Sequence, residues 1–179
     1  MNNWFDPHLP QVLANSVNSY RDWRGSLTKI MADGVFVSPG FTIEPNQILF
    51  SHTKERLILR GLHAQHGDSS ESKIIYCISG RMFWVVVDLR ANSQSFGTWY
   101  GQVLDAADVN ALQVPRGFAH GCMSMTDDVG LIIFADRAFS ADEGVGIAWD
   151  DPDIGIQWPL DNAAPKLSDE HGSYGAFAD

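Results

Sequence analysis

The chain has 179 residues, 45% hydrophobic and 19% charged, which fits one folded domain over residues 1–179 with its own apolar core. A formal net charge of −10 speaks against nucleic acid as a partner, because the basic footprint is missing. No apolar run reaches the ~18–20 residues needed to cross a bilayer, so no membrane partner is expected either.

At the N-terminus, MNNWFDPHLP has neither a basic n-region nor an apolar h-region. No signal peptide is expected there, and the chain reads as cytoplasmic. Residues near 6–18 and 105–110 are the stretches that admit short helices. From about 48 to 135 the chain is a series of short β-like runs rich in Val, Ile, Phe, Trp and Tyr, among them Lys73–Ile78, Met82–Leu89, Ala111–Val114 and Gly130–Phe134. Turn chemistry separates them at Ser79-Gly80, Ala91-Asn92-Ser93, Pro115-Arg116-Gly117 and Asp127-Asp128. Closely spaced strands with little helical periodicity predict an all-β barrel or sandwich with short peripheral helices. Cys77 and Cys122 lie inside apolar segments and read as buried thiols. Residues 159–179 are rich in Pro, Asp, Ser and Gly and read as an irregular tail.

Two segments concentrate reactive side chains: Arg60-Gly61-Leu62-His63-Ala64-Gln65-His66 with Lys73 beyond it, and Val114-Pro115-Arg116-Gly117-Phe118-Ala119-His120-Gly121. On a strand, His63 and Gln65 face the same way, and a bend at Gly61 would bring Arg60 round to them. The competing structural reading makes His63 a hydrogen-bonded core histidine and Arg60 a surface charge. A metal site built from His63, His66, Glu71 and His120 is the other alternative. Its spacing is poor, because His63 and His66 would point to opposite faces of a strand. No metal and no cofactor are therefore expected.

Taken together, four blocks resemble the dTDP-4-dehydrorhamnose 3,5-epimerase family. They are Arg60-Gly61-Leu62-His63; Val87-Asp88-Leu89-Arg90 with Ser95-Phe96-Gly97; Val114 to Gly121; and Trp149-Asp150-Asp151-Pro152-Asp153-Ile154-Gly155-Ile156 with Trp158-Pro159. The resemblance implies a cupin-like jelly-roll β-barrel in a homodimer whose N-terminal arm, about residues 1–30, contacts the partner. It implies a nucleotide-diphosphate 4-keto-6-deoxy sugar as substrate. A ketone acidifies the neighbouring carbons, so such a site needs a base, a donor for the enolate oxygen and an acid on the opposite face. By position, His63 matches the base and Lys73 the enolate-stabilising cation. Arg60 and His120 match substrate contacts, with Gln65 beside them on the strand, and Gln47 matches a phosphate-proximal glutamine. Arg24, in Asp22-Trp23-Arg24-Gly25, matches a diphosphate ligand reaching across the dimer, and Phe139 an aromatic beside the ligand.

The chain also departs from that pattern. Ile133 stands where the family has its acid, a tyrosine. His171, in Leu167-Ser168-Asp169-Glu170-His171, stands where the family has the aspartate that orients the base. Leu27, Lys29 and Leu49 replace a Phe, a Glu and an Asn near the nucleotide. Three readings follow from the resemblance and its departures: an epimerase inverting one carbon or two, a ketoisomerase using the His63–His171 pair, and a sugar-nucleotide-binding homologue without turnover.

Overall fold

The computed structural model of the protein describes residues 3–6, 9–16, 19–30, 43–108 and 110–177. Its strands are β1 (Asn3–Asp6), β2 (Leu9–Ser16), β3 (Ser19–Asp22), β4 (Gly25–Thr28), β5 (Gln47–Thr53), β6 (Leu59–Gln65) and β7 (Lys73–Ser79). They continue as β8 (Arg81–Asp88), β9 (Trp99–Asp105), β10 (Asn110–Val114), β11 (Phe118–Ser124), β12 (Val129–Ala135) and β13 (Gly144–Gly146). A six-stranded sheet runs β1-β2-β10-β7-β12-β5, a five-stranded sheet runs β13-β6-β11-β8-β9, and β3 with β4 forms a separate hairpin. The paired strands are antiparallel throughout. This is a cupin-like jelly roll.

The two sheets bury their facing sides together. Ile75 and Cys77 of β7, Trp84 and Val86 of β8, Leu112 and Val114 of β10 and Leu131 of β12 meet in the barrel interior. The alternate residues Ile74, Tyr76, Ala111 and Phe134 pack on the outside of the six-stranded sheet. On the other side, Leu62, Val85, Val87 and Ala119 are covered by Ile147 and Ile154, with Trp158 and Phe177 against them. Strands buried on both faces need apolar residues at nearly every position, which is why Met82–Leu89 has no polar alternation. The cysteines are free thiols, both buried.

The helix expectation fails at both places. Residues 9–16 form strand β2, because β10 offers a backbone ladder to it from Asn110↔Ser16 to Gln113↔Leu13. Residues 7, 8, 17 and 18 of that expectation lie outside the described residues. Over 105–108 the chain makes a turn, in which the Asp105 carboxylate accepts from the Ala107 N–H at 2.9 Å, and β10 follows at Asn110; residue 109 is outside the described set. Among the described residues the only helical pieces are single 3₁₀ turns at Gly67–Ser69, Ala141–Glu143 and His171–Ser173. A local propensity without an apolar stripe does not compete with tertiary strand pairing.

Beyond Trp158 no described residue belongs to a strand. The chain crosses the outside of the five-stranded sheet, held by Phe177 N–H to Asp151 Oδ2 at 2.8 Å and Ala148 N–H to the Gly175 carbonyl at 2.8 Å. That path brings the tail to the barrel mouth.

Candidate active site

β6 and β11 approach so closely at the mouth that only glycine fits between them. At Gly61, where φ is +99°, a Cβ would lie 2.6 Å from the His120 carbonyl oxygen and 2.8 Å from Gly121 Cα. The ladder sets His63 directly opposite His120, and a bulge beyond it re-aims the strand so that Cys122 faces Arg60. The two imidazoles meet edge to face, with ring centroids 4.5 Å apart.

Lys73 enters this pair from the other sheet, at the first position of β7. Its Nζ donates to His120 Nε2 at 3.0 Å and pairs with Glu71 Oε1 at 2.7 Å. Both side chains of the ion pair are nearly enclosed, 14% exposed for Lys73 and 7% for Glu71. An ammonium only donates, so His120 Nε2 must accept and its Nδ1 must carry the ring proton. That Nδ1 is buried with no partner among the described residues, as is Trp84 Nε1 on the indole stacked against the same ring at 5.7 Å.

The tail supplies a third wall. His171 lies nearly parallel to His63, 15° between planes and 6.0 Å between centroids, and Tyr174 sits 5.4 Å from His171. The Tyr174 hydroxyl donates to Glu170 Oε1 at 3.1 Å. Tyr174 packs directly on Gly146, where a Cβ would stand 2.2 Å from the ring, and Gly146 is the register partner of His63. The missing side chain at 146 is therefore what lets the tail reach His63.

These walls enclose a cavity of about 330 Å³, lined by His63, Gln65, Glu71, Lys73, Phe139, Glu170, His171 and Tyr174 among others. That is the size range of a small-ligand site. His120 is 3% exposed and lies beneath the cavity rather than in its lining. The Gln65 amide is already engaged, donating to the Ser69 carbonyl at 3.2 Å and accepting from the Ser140 N–H at 2.5 Å. Arg60 is exposed beside the mouth, outside the cavity lining. Arg24 lies on the β3–β4 hairpin, its guanidinium bound to Asp22 at 2.6 Å, and Gln47 donates to the Arg137 carbonyl at 2.7 Å on β5. Neither reaches the cavity within one chain. Ile133 packs against the barrel interior on β12, opposite Ile75 of β7.

Burial lowers the pKa of His63 to about 4, with the Lys73 charge and His171 adding to the effect. Burial, Lys73 and His63 likewise hold His120 well below the ordinary imidazole value. His171 is lowered by burial, while Glu170 pulls it back up and Arg60 opposes that. All three rings are thus neutral near pH 7, and His63 has its lone pair free to accept a proton. Tyr174 is pushed up to about 12 by burial and its bond to Glu170, so it stays a hydroxyl. Among the described residues no group of three or more His, Cys, Asp or Glu is placed to hold a metal ion, and His66 is exposed.

Of the pocket residues, Glu71 is read from the sequence only as a ligand of the metal alternative, and Tyr174 is not singled out. Glu71 carried a readable signal, since residues 71 and 73 share a face in an extended chain. Tyr174 carried none, because its place depends on how the tail folds back.

The sequence model of a family described as dTDP-4-dehydrorhamnose 3,5-epimerase matches residues 6–179. The dTDP-4-dehydrorhamnose 3,5-epimerase of Shigella flexneri is 33% identical over 179 residues, covering 99% of this chain and 97% of the relative. The solved rmlC epimerase of Mycobacterium tuberculosis superposes with a TM-score of 0.93 at 30% identity, covering 100% of this chain and 90% of that one. A 3'-monoepimerase from Streptomyces bikiniensis, solved with dTDP-quinovose, superposes with a TM-score of 0.85 at 27% identity, covering 93% of this chain and 84% of that one.

Proposed function

The chain belongs to the dTDP-4-dehydrorhamnose 3,5-epimerase family, and from that premise we propose that it is an isomerase deprotonating a nucleotide-diphosphate 4-keto-6-deoxy sugar next to its ketone. His63 takes the proton from the carbon. The electron pair moves into the carbonyl, and the Lys73 ammonium donates to the enolate oxygen that forms. Negative charge developing on that oxygen raises the proton affinity of His63 as the step proceeds, which offsets the low pKa of the resting ring. The observation that carries this reading is a neutral, half-buried imidazole and an enclosed ammonium facing one cavity from the two sheets.

Return of the proton decides the product. The hydrocarbon side chain of Ile133 delivers none, and Tyr174 stands on the His63 side of the cavity, over Gly146. Inversion at a single carbon, with water supplying the proton on the far face, is the outcome we favour. The likeness to a 3'-monoepimerase supports it.

The nucleotide end is proposed to be completed by a second copy. Ile48 and Phe50 on the edge strand β5 are each 64% exposed, and Trp23 at the tip of the hairpin is 93% exposed. An open edge with large apolar side chains is a surface that a homodimer covers. Arg24 and Gln47 would then meet the diphosphate across that interface, and Arg60 at the mouth.

The test is incorporation of deuterium at C3 or C5 of a panel of nucleotide-diphosphate 4-keto-6-deoxy sugars in D₂O, followed by NMR. Exchange at one carbon, abolished in His63→Ala, is expected. Binding of panel members without exchange at either carbon would overturn the reading. Ketone migration is the second reading, favoured by the parallel His63 and His171 rings; it is recognised in the same spectra, because the carbonyl carbon changes place.

A further inference from the structure

Lys73 presents a problem of charge that the deprotonation scheme leaves open. Its ammonium is 14% exposed and bonded to a neutral imidazole, His120, on one side. Taking an ammonium out of water favours loss of its proton, and an imidazole offers no negative charge in return. Behind His120 stands the indole of Trp84, also without a charge to give. The titratable groups facing Lys73 are Glu71 from the segment before β7, His120 and the buried Cys122 thiol from β11 and His63 from β6, with Glu170 and His171 of the tail on the same cavity. Glu170 is bonded to Tyr174, so Glu71 is the carboxylate within ion-pair distance of the ammonium.

We propose that Glu71 is a positioning residue of this site, keeping Lys73 charged and fixed at the cavity wall where an enolate oxygen would form. The inference rests on the proposed deprotonation. Glu71 sits two residues before Lys73 and is 7% exposed, so its carboxylate gains its main compensation for burial from that one partner. The relation is reciprocal: each charge is what makes the other tolerable out of water. A neutral Lys73 would offer the enolate an ordinary N–H donor in place of a charge-assisted one, roughly half as strong.

The experiment uses full-length protein with ¹³Cε-labelled lysine. The sequence has four lysines, so the Lys73 signal is assigned by its loss in Lys73→Arg. In Glu71→Gln, which keeps the shape and one acceptor oxygen, the Lys73 titration should fall by about one pH unit or more. In Glu71→Asp it should stay near the wild-type position. On any panel sugar that the wild type exchanges, the alkaline limb of the rate should move by the same amount, with kcat lowered and KM little changed. An unmoved Lys73 titration in Glu71→Gln overturns the proposal, whatever the activity. A wild type that exchanges no sugar overturns the deprotonation reading alone, since the lysine titration reads the hold of Glu71 without substrate.

Discussion

The rings of His63 and His171 lie nearly parallel, 6.0 Å between centroids and 15° between planes, and no hydrogen bond joins them. His171 therefore does not accept the second ring proton of His63, which is the role its position in the tail suggested. Burial first, then the Lys73 charge, lowers the His63 pKa, and His171 adds to the same effect.

Replacing that neighbour by a carboxylate reverses the sign of the interaction. In His171→Asp a negative charge replaces a ring that lowers the His63 pKa. The His63 titration, followed by imidazole NMR, should rise from about 4 by one unit or more. Deuterium exchange at the sugar should become faster, since the imidazolium formed in the step gains a counter-charge. A His63 titration unchanged in His171→Asp would show that burial and Lys73 set its value without His171.

The same low pKa makes stability depend on pH. An unfolded histidine takes up its proton below about 6.5, whereas folded His63 does so only near 4. Between those values the unfolded chain binds more protons, so stability falls as the pH drops from 6.5 to about 4 and the His63 contribution then levels off. The single-site effect is about 3 kcal/mol over that window, and His120, lowered in the same direction, adds to it. Melting curves at pH 7, 5.5 and 4.5 should show this decline, and His63→Asn should make it shallower. An equal decline in that variant would place the effect elsewhere.

Gly146, on the strand paired with that of His63, is where the tail touches the sheet. A Cβ there would stand 2.2 to 2.5 Å from three ring atoms of Tyr174, so Gly146→Ala must lift the ring away. The tail residues that carry His171 should detach from the mouth, at a cost of about 1–3 kcal/mol for an overpacked contact. Faster proteolysis after residue 166, with the barrel's circular dichroism retained, is the expected result. A tail as protected as in the wild type would mean that Tyr174 has another seat.

The barrel was readable in the chain because its central strands are buried on both faces. Lys73–Ser79 and Arg81–Asp88 are continuous β-branched and aromatic runs ended by Gly80 and the polar turn after Leu89. Strand β2 was not readable, since its extended state is decided by β10, far along the chain. At the site, the two glycine-flanked histidines were legible as a pair, and the ladder sets them opposite each other. Glu71 was legible as sharing a face with Lys73, but its pairing with that ammonium and its 7% exposure follow from the fold. Of the cations named from the sequence, Lys73 lines the cavity, Arg60 is exposed outside its lining, and Arg24 stays on its hairpin with Asp22.

Ile133 offers the sharpest test of what limits the reaction. It lies on β12 in the sheet that carries Lys73, two register pairs from Ala135↔Lys73, and its side chain joins the barrel core. By the family resemblance this is the position of the acid, and here it carries only hydrocarbon. Ile133→Tyr places a phenol there, and a positioned acid of this kind contributes ~10²–10⁴ in rate. Part of that gain will be lost to fitting a larger ring against Ile75, so an increase of about tenfold or more in inverted product is expected. Ile133→Phe carries the same bulk without the hydroxyl and should show no gain. Equal rates in the two variants would mean that proton return on that face is not what holds the enzyme back.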